Sequence, residues 1–244
     1  MLKNFDKNQN YYKFYKRKNT PIVFIHGVGL DQDMWFPQVR YFKNNSILTY
    51  DLLGHGRTPL NKKKVNFEDF SNQLNTLMKN LKINKIHLVG FSFGSLIALN
   101  FTKKFQKKVD KLVLISTVYK RTKLEKINVR ERYKKAKNNI PIFDLALKRW
   151  LSPKFIKLNP NIKKYILTTL NKKNIDHINF LKSYKLFSYF KDDKKEIRKI
   201  KSSTLIMTGT KDRGSTVKMS QNISNELINS QFYKIHNAKQ LCSI

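Results

Sequence analysis

The pentapeptide Gly90-Phe91-Ser92-Phe93-Gly94 follows an apolar run, Ile86-His87-Leu88-Val89, and leads into a helical pattern beginning near Ser95. A serine set between two glycines at a strand-to-helix junction is a candidate nucleophile. The sharp turn holds its hydroxyl clear of the backbone, and the flanking positions must be small because strand and helix nearly touch there. The same five letters elsewhere would be a chance glycine-bracketed serine; the β-run before them and the helix after them single out Ser92. Upstream, His26-Gly27-Val28-Gly29 follows another short β-run, residues 21–25. In a parallel sheet both loops leave the carboxyl ends of strands, where ligands bind. There the backbone N–H groups of Val28 and Phe93 are placed to converge on the oxyanion formed when a hydroxyl attacks a carbonyl carbon.

These loops need a scaffold, and the chain is patterned to supply one. Short β-rich apolar runs at residues 21–25, 46–50, 85–89, 111–115, 204–207 and 231–235 alternate with longer helical patterns. That rhythm predicts an α/β fold, a doubly wound and mainly parallel sheet with crossover helices. Phe67, Phe70, Leu74, Leu77, Met78 and Leu81 recur at helical spacing, and residues 96–105 read as a second helix packing on the sheet. From about residue 119 to 199 the strand rhythm stops. The expected organisation is therefore a core of residues 1–118 and 200–244 carrying an inserted helical lobe, residues 119–199, without internal repeats or a Gly/Ser linker.

Composition bounds the rest. The 244 residues are 40% hydrophobic, enough to bury one sizeable core and to exclude a wholly disordered chain. Fifty Lys+Arg against 16 Asp+Glu leave a net charge of +34. Lysine runs such as Lys62-Lys63-Lys64, Lys107-Lys108 and Lys172-Lys173 recur along the whole chain, and lysine far outnumbers arginine, the residue favoured for bidentate base contacts. This argues for solvated lysine faces, with no single groove collecting them, and against a dedicated nucleic-acid surface. The single cysteine, Cys242, cannot form an intrachain disulfide, and neither a membrane span nor an apolar signal core is present. The expectation is a soluble, cytoplasmic protein, its oligomeric state open.

The loop HGVG, the segment Tyr50-Asp51-Leu52-Leu53-Gly54-His55-Gly56-Arg57-Thr58 and GFSFG together resemble the α/β-hydrolase superfamily over nearly the whole chain. Ala146-Leu147-Lys148-Arg149-Trp150-Leu151 is similar to the cap of the subgroup that includes 3-oxoadipate enol-lactonases and related carboxylic-ester hydrolases, which puts Trp150 at the substrate. The resemblance implies a serine triad that needs neither metal nor organic cofactor. Thr208-Gly209-Thr210-Lys211-Asp212 resembles the family's G-x-x-D turn and offers Asp212 as the triad acid, although an aspartate before Gly214 also suits a helix cap. Family members place the base in a loop reading about N-A-x-H after the last strand, and here that loop reads Asn237-Ala238-Lys239-Gln240. A glutamine amide cannot take a proton from serine at neutral pH. Of the histidines, His26, His55, His87 and His177 lie in other segments, and His236 would need a slipped loop to reach Ser92. The resemblance also implies a final helix after the base loop, which the four residues following Gln240 are too few to form.

Three readings follow. The first is a serine hydrolase of a small-molecule carboxylic ester or lactone, impaired by Gln240. The second is a silent ligand-binding relative that keeps the pocket and the oxyanion loop. The third is a nucleic-acid-binding protein driven by charge, which predicts a steep loss of affinity with salt and a basic stripe on one face. An ester or lactone pocket lined by cap residues such as Phe143, Leu145, Trp150, Phe155 and Phe180 fits the first two, though these residues equally suit a lobe core.

Overall fold

A computed structural model describes residues 2–138, 143–171 and 177–243. An eight-stranded sheet is formed by β1 (Leu2–Phe5), β2 (Tyr11–Tyr15), β3 (Ile22–Ile25), β4 (Ile47–Tyr50), β5 (Ile86–Phe91), β6 (Val109–Ile115), β7 (Ser203–Gly209) and β8 (Ser230–Ile235), in the order β1-β2-β4-β3-β5-β6-β7-β8. From β4 onward every pairing is parallel. The chain runs outward from β3 to β4, then crosses to β5 on the other side of β3. The loops after β3 and β5 therefore diverge and leave a crevice at the carboxyl edge.

The N-terminal hairpin departs from the sequence reading, which starts its sheet at residue 21. β1 and β2 pair with each other and β2 with β4, all antiparallel. Asp6 makes the turn: its Oδ1 accepts from the N–H groups of Asn8 and Asn10, and Gln9 takes a left-handed φ of 61°. Buried Tyr11, Tyr12 and Phe14 attach β2 to the core, with Lys13 the one charge among them.

Helices cover both faces. α1 (Phe36–Tyr41) follows β3; α2 (Phe67–Asn80) is closed by a capping box in which Asn66 and Asp69 exchange side-chain-to-backbone hydrogen bonds, both at 3.0 Å. Its Phe70, Leu74, Leu77 and Met78 are buried at the predicted spacing. α3 (Phe93–Lys104) begins directly after Ser92, two residues earlier than expected, and is buried almost all round because it runs beneath α2 and over the sheet. Between β6 and β7 the described residues form α4 (Lys123–Lys137), α5 (Phe143–Trp150), α6 (Pro153–Leu158), α7 (Pro160–Asn171), α8 (His177–Ser188) and α9 (Lys194–Ile197); α10 (Val217–Ser224) joins β7 to β8. The core falls into two clusters, one built on α2, α3 and α8, the other on Trp35, α5 and α7. No helix among the described residues is long and apolar enough to cross a membrane.

Candidate active site

Ser92 sits on the turn from β5 to α3 with φ 53° and ψ −112°, a region that L-residues avoid and that survives only where surrounding structure enforces it. Here the enforcement is steric and hydrogen-bonded. A Cβ on Gly90 would lie 2.7 Å from Ser95 Cα, and one on Gly94 would run into the carbonyls of Ile25 and His26. The Ser92 N–H meanwhile donates to Ile115 O at 2.9 Å across the sheet. Both glycines are therefore required by close approach of strand, helix and neighbouring strand.

Val28 follows β3, and its loop is pinned by His26. The buried His26 ring donates from Nδ1 to Gly27 O at 2.8 Å and accepts at Nε2 from the Leu52 N–H at 3.0 Å. Burial drives its pKa down to about 4, so it stays neutral, and that tautomer satisfies both bonds. His55 is held neutral by burial in the same way, its pKa lowered to about 3, and its ring packs edge-on against His26. The N–H groups of Val28 and Phe93 donate no hydrogen bond among the described residues. His87 lies in β5 beside Asp110, His177 opens α8 exposed, and His236 is exposed just past β8. None of these is brought to Ser92.

Asp212 follows β7 and Gln240 follows β8, so both loops open on the same sheet edge as Ser92. Asp212 Oδ1 accepts from the N–H groups of Gly214 at 2.7 Å and Ser215 at 2.9 Å, whereas its buried Oδ2 has no hydrogen-bond partner among the described residues. Burial raises its pKa to about 6 despite those two bonds, the nearby Ser116 hydroxyl and the charge of Arg149. Gln240 Nε2 donates to Ser92 Oγ at 3.4 Å, and its Oε1 accepts from Arg149 Nε at 3.4 Å. Arginine offers only donors, so the amide must turn its oxygen to Arg149 and its nitrogen to the serine. Among the bonds that tether this loop are Ser116 Oγ to Gln240 O at 2.8 Å, the Lys211 N–H to Ala238 O at 2.8 Å, the Asn237 N–H to Thr210 Oγ1 at 3.0 Å, the Leu241 N–H to Trp150 O at 3.1 Å, and Gln38 Nε2 to Ser243 O.

Above Ser92 lies a cavity of about 90 Å³. Trp150 and Phe180 line it as anticipated, whereas Phe155 packs into the second core cluster and the side chains of Phe143 and Leu145 lie outside the described residues. Tyr184 and Phe187 join Phe180 from one face of α8. The sequence reading missed the cations. Arg132 and Lys135, one helical turn apart on α4, and Arg149 from α5 all line the same small cavity, and no carboxylate pairs with them among the described residues. Burial, with Arg132 close by, pulls the Arg149 pKa down. The spacing of Arg132 and Lys135 was visible in sequence, but their convergence with Arg149 needs α4 packed on α8 and α5 brought to the same cavity.

Comparison with known proteins agrees with this geometry. A (E)-2-((N-methylformamido)methylene)succinate hydrolase of Acinetobacter baylyi is 24% identical over 97% of this chain and 89% of its own length. The 3-oxoadipate enol-lactonase 2 of the same organism is 23% identical over 63% of the chain and 58% of its own length. Among solved structures, the enol-lactonase from Burkholderia xenovorans superposes with a TM-score of 0.85 at 21% identity, covering 97% of this chain and 92% of that one. A thermophilic esterase from Thermogutta terrifontis, solved with malate bound, gives 0.83 at 20% identity over 98% and 89%. The family model for the alpha/beta hydrolase fold matches residues 20–241, the span that carries the parallel sheet, the serine turn and the loop of Gln240. With that match over most of its length, the chain belongs to the α/β-hydrolase family.

Proposed function

We propose that the cavity over Ser92 binds a small ester or lactone bearing a carboxylate, and that this chain turns it over far more slowly than a complete serine triad would. One observation carries the reading: a glutamine amide, donating to Ser92 Oγ at 3.4 Å, occupies the place from which a base would remove the serine proton. Ser92 is the nucleophile, Asp212 stands where the triad acid belongs, and the N–H groups of Val28 and Phe93 form the oxyanion hole. Attack by Ser92 Oγ on the carbonyl carbon would give a tetrahedral oxyanion held by those two donors, then an acyl-serine released by water. With a donor in place of a base, the serine proton must leave to water, and oxyanion stabilisation with binding supplies only a remainder of about a thousandfold over water.

Arg132, Lys135 and Arg149 favour an anionic substrate, since unpaired cations at a partly buried site are stabilised by a carboxylate. Two comparisons point the same way: the A. baylyi relative hydrolyses a substituted succinate, and the T. terrifontis esterase was solved with malate, also a dicarboxylate. The helices between β6 and β7 then serve as a cap that supplies Trp150 and these cations. A purely ligand-binding role is the second reading, favoured by the same glutamine and by the unpartnered Asp212 Oδ2.

Affinity and acylation separate the two. An alkyl boronate carrying a carboxylate is titrated calorimetrically, and the chain is mixed with an activated p-nitrophenyl hemisuccinate while the nitrophenol burst is followed. Binding with slow, Ser92-dependent acylation supports the impaired hydrolase. Binding without acylation supports the binding protein, and failure to bind either anion overturns both.

A further inference from the structure

A second, larger cavity lies on the far side of α8 from Ser92. It measures about 790 Å³, within the roughly 300–1,000 Å³ of small-molecule sites. Its floor is apolar: Phe67 from α2, Leu96 and Leu99 from α3, Leu181 and Leu186 from α8, and Phe190 beyond it. α8 is thus apolar on two faces, with Phe180, Tyr184 and Phe187 toward the cavity over Ser92 and Leu181 and Leu186 toward this groove. A helix buried on one side only would need just one such face.

The rim carries the opposite chemistry. Lys63, Lys64, Lys103, Lys185 and Lys191 stand around the opening, and none of their ammonium groups has a hydrogen-bond or ion-pair partner among the described residues. A sixth lysine, Lys182, is occupied by Lys62 O and Asn179 Oδ1, both at 2.8 Å. Among the described residues the only carboxylate on the rim is Asp193, which caps α9 by accepting from the Glu196 N–H at 3.1 Å. These six lysines, a small share of the chain's 50 basic residues, come from runs far apart in sequence that meet where the loop before α2 faces α3 and α8.

We propose that this groove binds one long-chain carboxylate amphiphile, its alkyl chain on the apolar floor and its head group among the rim lysines. The apolar area selects against small inorganic anions, which gain nothing from Leu96, Leu99 or Phe190. The lysines select against neutral and cationic amphiphiles of the same length. The groove's concave, single-ligand size selects a monomeric molecule over an extended bilayer face. The floor also touches the catalytic turn, because the Phe67 ring packs at 5.8 Å from that of Phe93, the residue after Ser92.

The test is calorimetric titration of the full chain with acetate, decanoate, dodecanoate and dodecyltrimethylammonium, all below micelle formation. The expected result is one dodecanoate per chain, at least tenfold tighter than decanoate at roughly fourfold per added methylene, with the cationic analogue at least tenfold weaker. Lys103→Glu combined with Lys185→Glu should weaken dodecanoate at least tenfold while leaving the thermal melt in place, since both side chains stand on the rim. Arg149→Met, in the other cavity, should leave it unchanged. Equal binding of acetate and dodecanoate, or loss of dodecanoate in Arg149→Met but not in the rim variant, overturns the proposal. So does a chain that sediments with phosphatidylglycerol vesicles yet fails to bind monomeric dodecanoate, because the lysines would then mark a membrane-facing surface.

Discussion

Replacing Gln240 by histidine should convert this chain into an ordinary esterase, and the structure sets the size of the gain. Loss of a triad base costs up to about 10⁶ in turnover. The glutamine nitrogen already lies 3.4 Å from Ser92 Oγ, so an imidazole Nε2 at that point would miss the productive range of about 2.6–3.2 Å by a few tenths of an ångström. A 1 Å misplacement is worth about a hundredfold, so this shortfall costs roughly tenfold. Arg149, now bonded to the glutamine oxygen, would disfavour the imidazolium and cost about another tenfold. The unpartnered Asp212 Oδ2 would receive the new Nδ1–H, which orients the ring and draws the aspartate pKa down from about 6. The expected gain for Gln240→His is therefore about 10³–10⁵ in kcat, a barrier lower by roughly 4–7 kcal/mol. Ser116, Lys211, Trp150 and Gln38 hold the loop that carries residue 240. Steady-state hydrolysis of p-nitrophenyl hemisuccinate measures it, with Gln240→His plus Ser92→Ala as the control. The rate should rise with pH through the histidine range near 6.5. A gain below tenfold with ligand affinity intact, or activity that survives Ser92→Ala, would refute the assignment of Gln240 to the base position.

Three further outcomes test the scaffold and the pocket. Gly94→Ala should destabilise the fold by about 2 kcal/mol or more in urea titration, because its Cβ meets backbone carbonyls that cannot move aside. His26→Leu removes two buried hydrogen bonds and should cost about 2–4 kcal/mol. It should also flatten the pH dependence: the folded His26 pKa is lowered to about 4, so the unfolded chain protonates first and stability is lost as pH falls from about 6.5 toward 4. The slope of the urea midpoint over that window should shrink in the variant. Arg149→Met should weaken a carboxylate-bearing boronate about tenfold or more while leaving an uncharged alkyl boronate within about threefold, both read by calorimetry.

Much of this protein is local, and what is local was legible in the chain. The central parallel strands announce themselves because a strand covered on both faces must be a short continuous apolar run, and β3 through β7 lie within a few residues of those runs, as does the more exposed edge strand β8. The Ser92 turn is equally local, since two glycines in five residues encode the close approach of β5, α3 and β3. The Asn237-Ala238-Lys239-Gln240 loop showed in letters alone that no histidine stands where the resemblance expects one. The N-terminal hairpin was not legible, because β1 and β2 are short and lie in a segment dense with Lys and Asn, and pairing with β4 is what makes β2 part of the sheet. Nor were the cations at Ser92 or the lysine-rimmed groove, which bring together residues from α4 and α5, or from α2, α3 and α8. In a chain with 50 basic residues, no single one stands out in sequence. Which of them converge is decided by how the helices between β6 and β7 pack on the core, since periodicity specifies the face a helix buries but not the neighbour it meets.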